Sequence, residues 1–123
     1  MLTPKENEVR NYLISSARQK KLVPYSQLAK DFGLDIEDKH QAWINVLEVW
    51  MESINDFELE HDRPLLSAII VLKKNPNDIY SISKSGAGFY KYARAKGLLQ
   101  KGQNPELFQN TEIGKIFRYW NEE

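Results

Sequence analysis

Ile36, His40, Trp43, Leu47, Trp50, Ile54 and Phe57 recur at alternating spacings of four and three. That period predicts one long helix with a continuous apolar seam. A second apolar row, Ile44 and Met51 with Val46 and Val49 nearby, means the helix is covered on more than one side. A free-standing coiled coil would keep its remaining faces polar, so this is the central helix of a packed core. Asp35, Glu37 and Asp38 are expected in its first turn, where the helix dipole favours negative charge. The helix should fade between Asn55 and Asp62, with Pro64 as a hard stop.

The N-terminal flank supplies two helices to pack on it. Thr3-Pro4-Lys5-Glu6 is a helix start, with Thr3 as cap, Pro4 at the first helical position and Glu6 completing a capping box. Val9, Tyr12, Leu13, Ser16 and Ala17 then share one face, with Arg10, Arg18 and Lys20 off it, to about Gln19. Leu22 and Val23 form a short extended piece, because a residue before proline is pushed out of the α region. Ser26 is expected to cap a short second helix whose Leu28, Ala29 and Phe32 share a face and which Gly33 ends.

The convincing β-structure falls between Arg63 and Gly97. Leu65 to Leu72 alternates too little for a half-exposed strand and reads as a buried one. Asn75-Pro76-Asn77-Asp78 is turn chemistry, and Ile79 to Ser83 can return as the partner strand of a hairpin. Ser85-Gly86-Ala87-Gly88 lets the chain turn into a fourth helix, Phe89 to Lys96, stopped by Gly97. Gln100 to Asn104 is a linker. Asn104-Pro105-Glu106 opens a last helix that Phe108, Ile113, Ile116, Phe117 and Trp120 dock, with Asn110-Thr111 as a point of interruption. The fold class is therefore α+β, mainly helical: three helices, a β-hairpin and two further helices in one domain, 1–123.

That element order resembles a winged helix. The stretch Tyr25-Ser26-Gln27-Leu28-Ala29-Lys30-Asp31-Phe32-Gly33 resembles the first helix of the helix-turn-helix unit in bacterial regulators carrying Tyr-x-x-Leu-Ala-x-x-x-Gly. The resemblance implies a DNA-binding domain. The DNA-binding domain of alkyltransferase-like proteins is similar more remotely, through the same helix, a second helix, a strand and a glycine-led helix. Their reactive cysteine lies in a Pro-Cys-His-Arg strand; here the comparable residues are Pro64-Leu65-Leu66-Ser67, so that chemistry does not carry over. The Arg63–Val71 stretch followed by Gly86-Ala87-Gly88-Phe89-Tyr90 also looks like a pattern in small uncharacterised bacterial proteins.

The chain has no cysteine, which excludes disulfides, thiolate nucleophiles and cysteine-held zinc, and makes the cytoplasm the expected compartment. No apolar run approaches the length of a membrane span. His61-Asp62 resembles the metal-binding pair of the HD phosphohydrolases, but His40 is the only other histidine. His61 therefore reads as a residue complementing a helix C-terminus, and His40, on the apolar seam, as a partly buried, satisfied side chain. Neither a metal, nor a cofactor, nor a catalytic group is expected, so the chain reads as a non-enzymatic binding module.

Equal numbers of cations and anions, 17 each, hide a segregation along the chain. Residues 35–62 carry one Lys against nine Asp/Glu, net −8, whereas residues 63–103 carry eight Lys/Arg against one Asp, net +7. Such blocks speak to partners. A basic wing beside a basic fourth helix suits a nucleic-acid backbone, and the expected contacts are Lys73, Lys74, Lys84, Lys91, Arg94 and Lys96. The third helix would be held off nucleic acid by its carboxylates. Glu48, Glu52 and Asp56 suggest instead a protein-interaction module of immunity, antitoxin or adaptor type, engaging a charged partner or a second copy of the chain. The Gly86–Gly88 turn, with Lys84 and Lys91 near it, has elements of an anion site but not the spacing of a phosphate loop.

Overall fold

Residues 65–71 are all buried, none more than 2% exposed. This short irregular segment, rather than the long helix, is the centre of the molecule. In the computed structural model, which describes residues 2–38, 40, 42–71 and 87–121, it consists of a 3-10 turn, Leu66–Ile69, and a strand β2, Ile70–Val71. Backbone buried outside a regular sheet must find partners for its peptide groups. The Ala68 N–H donates to the Leu65 carbonyl at 3.1 Å. The Ala68 carbonyl accepts from Gln109 Nε2 at 3.0 Å, the Ser67 N–H approaches Asn55 Oδ1 at 3.4 Å and the Leu65 N–H approaches Glu112 Oε1 at 3.5 Å. Three buried polar side chains in an otherwise apolar core are thereby explained: they complete the hydrogen bonding of a segment that cannot complete its own.

The helices gather around that segment. Helix α1, Pro4–Arg18, begins at the Thr3 capping box, with the Glu6 N–H donating to Thr3 Oγ1 at 3.1 Å and the Thr3 N–H to Glu6 Oε1 at 2.9 Å. It buries Val9, Leu13, Ile14 and Ala17. Strand β1, Val23–Pro24, is the extended piece expected before Pro24, and it pairs in parallel with β2, Val23 opposite Ile70 and Pro24 opposite Val71. Helix α2, Tyr25–Asp31, follows at once with Pro24 as its N-cap, so Ser26 lies inside the first turn and does not cap it. Gly33, at φ +76°, ends the turn that follows in the left-handed region where a side chain is strained.

Helix α3, Ala42–Glu60, starts later than its apolar seam. Ile36 and His40 lie before it, and His40 is exposed, which corrects the expectation of a partly buried histidine. The reason is local: Asp35 Oδ1 accepts the Glu37 N–H at 3.0 Å and Asp38 Oδ1 accepts the His40 N–H at 3.1 Å. Acidic side chains expected to sit in a first helical turn instead bond backbone two residues on, the Asx-turn geometry that competes with helix. Within α3 the buried face is Leu47, Met51, Ile54, Asn55 and Glu58, rotated from the seam, while Trp43, Trp50 and Phe57 flank it half-buried.

Glu58 is fully buried and paired twice. Arg10 Nε of α1 donates to its Oε1, and Arg63 Nε, beyond the end of α3, donates to its Oε2 at 2.6 Å. Both guanidinium groups lie over the Phe57 ring, at 5.1 and 5.3 Å, and that of Arg10 also lies 5.5 Å from the Trp120 ring. Two cations from outside the acidic block thus neutralise one of its charges in the interior.

Helix α4, Ala87–Ala95, carries the chain to a left-handed Gly97, at φ +73°. Helix α5, Pro105–Asn121, is capped by Asn104, whose Oδ1 accepts the N–H groups of Glu106 and Leu107 at 2.9 and 3.2 Å. It runs unbroken through Asn110 and Thr111, because the Thr111 hydroxyl donates back to the Leu107 carbonyl at 2.9 Å and leaves the helical ladder intact. The mainly helical α+β class holds. The expected eight-residue strand is corrected to the 3-10 turn and two-residue strand, with β1 as its parallel neighbour among the described residues. The turn at Asn75–Asp78 and the returning strand Ile79–Ser83 lie outside the described residues, so the wing does too.

Candidate functional site between α3 and α4

The fourth helix is docked by its apolar face. Phe89 and Ala93 are buried, the Phe89 ring lies 6.0 Å from that of Phe108, and the Tyr90 hydroxyl donates to Gln109 Oε1 at 2.8 Å. Along α3 it is fixed by Asp56, whose Oδ1 accepts the Tyr92 hydroxyl at 2.6 Å and lies 3.2 Å from Lys96 Nζ. At the other end the Glu48 carboxylate rests on Gly88: a Cβ built there would come within 3.1 Å of Glu48 Oε1. A side chain at residue 88 would make the Glu48 carboxylate give by a few tenths of an ångström. Glu48 meets the start of α4 and Asp56 its end, so the two helices run side by side in the same sense.

Between them is a cleft of about 390 Å³. Glu48, Met51, Glu52 and Asn55 line it from α3, at the i, i+3, i+4, i+7 spacing of one helix face. Gly88, Phe89, Lys91, Tyr92, Ala95 and Lys96 line it from the α4 side, and Tyr25 and Ser67 complete it. At its floor Asn55 Nδ2 donates to Ser67 Oγ at 2.8 Å, both residues being buried.

The structure brings together two groups of residues that the sequence assigned to rival partners. Glu48 and Glu52 of the acidic helix and Lys91 and Lys96 of the basic one line a single cleft, and Asp56 pairs with Lys96. Lys96 is engaged by Asp56 and lies 5.6 Å from the Tyr92 ring. Lys91 and Arg94 are exposed on α4. Lys73, Lys74 and Lys84 lie outside the described residues. His61 Nδ1 is 2.8 Å from the Phe57 carbonyl near the end of α3, in keeping with a helix-end role, and its ring is 4.5 Å from that of Phe57. Among the described residues no group of three or more His, Cys, Asp or Glu is placed to hold a metal, and no helix is long and apolar enough to cross a membrane.

Tyr25, Asn55, Ser67 and Tyr92 are not among the site residues that the sequence suggests, although Tyr25 and Ser67 stand in the stretches that resemble other families. Only Asn55 carried a signal for the cleft, as the next step of the row through Glu48 and Glu52. Tyr92 meets Asp56 across 36 residues of chain, a juxtaposition that no local pattern encodes.

Two phenols have a pH consequence. Burial, with the Asp56 hydrogen bond and the Asp56 and Glu52 charges added to it, holds Tyr92 protonated well above the usual tyrosine range. Tyr12 is pushed up to about 12 by burial and by Asp31, whose Oδ2 accepts its hydroxyl at 2.5 Å. A group raised in the folded state contributes stability below its unfolded value, about 10, and loses it as pH rises through the folded one. Stability measured by urea unfolding is therefore expected to fall between about pH 10 and 12. The fall should be shallower in Tyr12→Phe and in Tyr92→Phe; an unchanged pH profile in both variants would contradict these contacts.

Comparison with protein-family models, with curated proteins and with solved structures gave no match to this chain.

Proposed function

We propose that the protein is a non-enzymatic regulatory binding module that contacts nucleic-acid backbone through its fourth helix and the basic segment before it, on a winged-helix-like frame. The observation that carries this reading is the division of α4 into two faces. Phe89 and Ala93 are buried while Lys91 and Arg94, three residues apart and thus neighbours on the helix, stand exposed. They extend the net +7 stretch that includes Lys73, Lys74 and Lys84. The rival reading, an acidic helix offered to a protein partner, has less support. Asp56, one carboxylate of that row, is already engaged within the molecule by Tyr92 and Lys96. Lys96 leaves the expected contact set for the same reason.

The test is binding of a short duplex and a single strand as a function of salt. Each phosphate contact contributes roughly 0.7 to 0.9 to the slope of log affinity against log salt. Lys91→Ala and Arg94→Ala are each expected to reduce that slope by about 1 and to weaken binding for all sequences alike. Lys96→Ala should leave the slope unchanged. Absence of binding at low salt sinks the proposal.

A further inference from the structure

The charges on the α3–α4 cleft fall into three sets. At the start of α4 Glu48 packs on Gly88, and at its end Lys96 is engaged by Asp56. Between these, Glu52 on α3 and Lys91 on α4 line the cleft. Both are exposed, and among the described residues neither has a hydrogen-bond or ion-pair partner. One fixed anion and one fixed cation therefore project from the two walls of one cavity. The same cleft is lined by apolar and aromatic side chains, Met51 and Phe89, both buried, together with Tyr25 and Tyr92. The volume falls within the range of sites for small organic molecules.

We propose that the cleft binds a zwitterionic amino acid with an apolar or aromatic side chain. Its ammonium pairs with the Glu52 carboxylate, its carboxylate pairs with the Lys91 ammonium, and its side chain packs on Phe89 and Met51. A ligand carrying only one charge makes one of the two ion pairs, and a purely apolar one makes neither. An apolar side chain is favoured over a polar one because Asn55 and Ser67, the polar groups of the floor, already hydrogen-bond each other at 2.8 Å. The inference shares Lys91 with the nucleic-acid reading but not Arg94, which does not line the cleft; its test contains no nucleic acid, so the two readings can fail separately.

The experiment is a titration of the full chain with L-phenylalanine and L-leucine, followed by amide and side-chain NMR shifts. The controls are phenethylamine, which keeps only the ammonium, and 3-phenylpropionate, which keeps only the carboxylate. The expected result is saturable shifts at cleft residues, including the Asn55 side-chain amide, with a dissociation constant of about 1 mM or tighter for at least one amino acid. Each single-charge control should bind about tenfold more weakly. In Glu52→Gln the amino acid should lose its advantage over 3-phenylpropionate, and in Lys91→Met its advantage over phenethylamine. Ala95→Trp, at an exposed position on the cleft wall, should abolish binding. The proposal is overturned if neither amino acid shifts the cleft residues. It is equally overturned if the amino acids and the single-charge controls bind alike, or if binding survives Ala95→Trp.

Discussion

Glu58→Gln is expected to destabilise the protein by about 3 kcal/mol or more, the largest loss from any single exchange of a polar side chain here. The glutamine amide fits the same space, yet Arg10 and Arg63 lose the charge that neutralises them. Both are themselves largely buried, with side chains 16% exposed. Two cations left facing each other over the Phe57 ring cannot be rehydrated without opening the contact between α1 and the end of α3. A loss of that size corresponds to a fall in melting temperature of about 10 °C for a chain of this length. Arg10→Met with Glu58→Leu and Arg63→Met tests the other half of the argument. Removing all three charges together should cost much less than removing Glu58 alone, because the single change is damaging through the charges it strands. Thermal unfolding of the two variants decides it; equal losses would mean that the triad acts through packing alone.

Gln109→Leu is expected to cost about 3 kcal/mol, although it exchanges a polar side chain in the core for an apolar one of similar size. Gln109 is fully buried, and its amide faces both ways. Nε2 donates to the Ala68 carbonyl of the buried segment, and Oε1 accepts the Tyr90 hydroxyl of α4. Leucine leaves a buried carbonyl without a donor, at about 1–3 kcal/mol, and releases the Tyr90 contact as well. Glutamate at the same position is a sharper probe, since it can keep the Tyr90 bond but not donate to Ala68. Urea unfolding should show Gln109→Glu destabilised as well, and hydrogen exchange should quicken in α4 in Gln109→Leu. A leucine variant as stable as the parent would show that the Ala68 carbonyl finds another donor.

Much of the fold was legible because it depends on short-range chemistry. The α1 capping box, the extended Val23 before Pro24, the left-handed glycines 33 and 97 and the Asn104 cap of α5 are contained within a few residues each. They appear in the structure where the local pattern placed them. Two departures, at the start of α3 and in the buried segment, have the same cause: apolar pattern does not register how backbone groups are satisfied. The seam was extended back to Ile36 and His40, because apolar spacing cannot register that Asp35 and Asp38 bond their own backbone. Leu65–Leu72 was read as one strand, because a fully apolar run is equally at home in any buried backbone. What sets it as a 3-10 turn is the presence of Asn55, Gln109 and Glu112 at its peptide groups, side chains 12 to 47 residues away in sequence.

The candidate site was legible only as two halves. The −8 and +7 blocks were plain in the chain, and each suggested an outside partner. Tertiary structure laid α3 beside α4, so that Asp56 meets Lys96 and Tyr92 while Glu52 and Lys91 line a common cleft. The sequence by itself determined which segments are helical, which faces are apolar and how charge is distributed along the chain, since these follow from propensity, period and composition. The structure alone decided which charges are internal partners and which remain available. That depends on distances between residues far apart in sequence, and Coulombic and hydrogen-bond energies fall too steeply with distance for chain order to stand in for them.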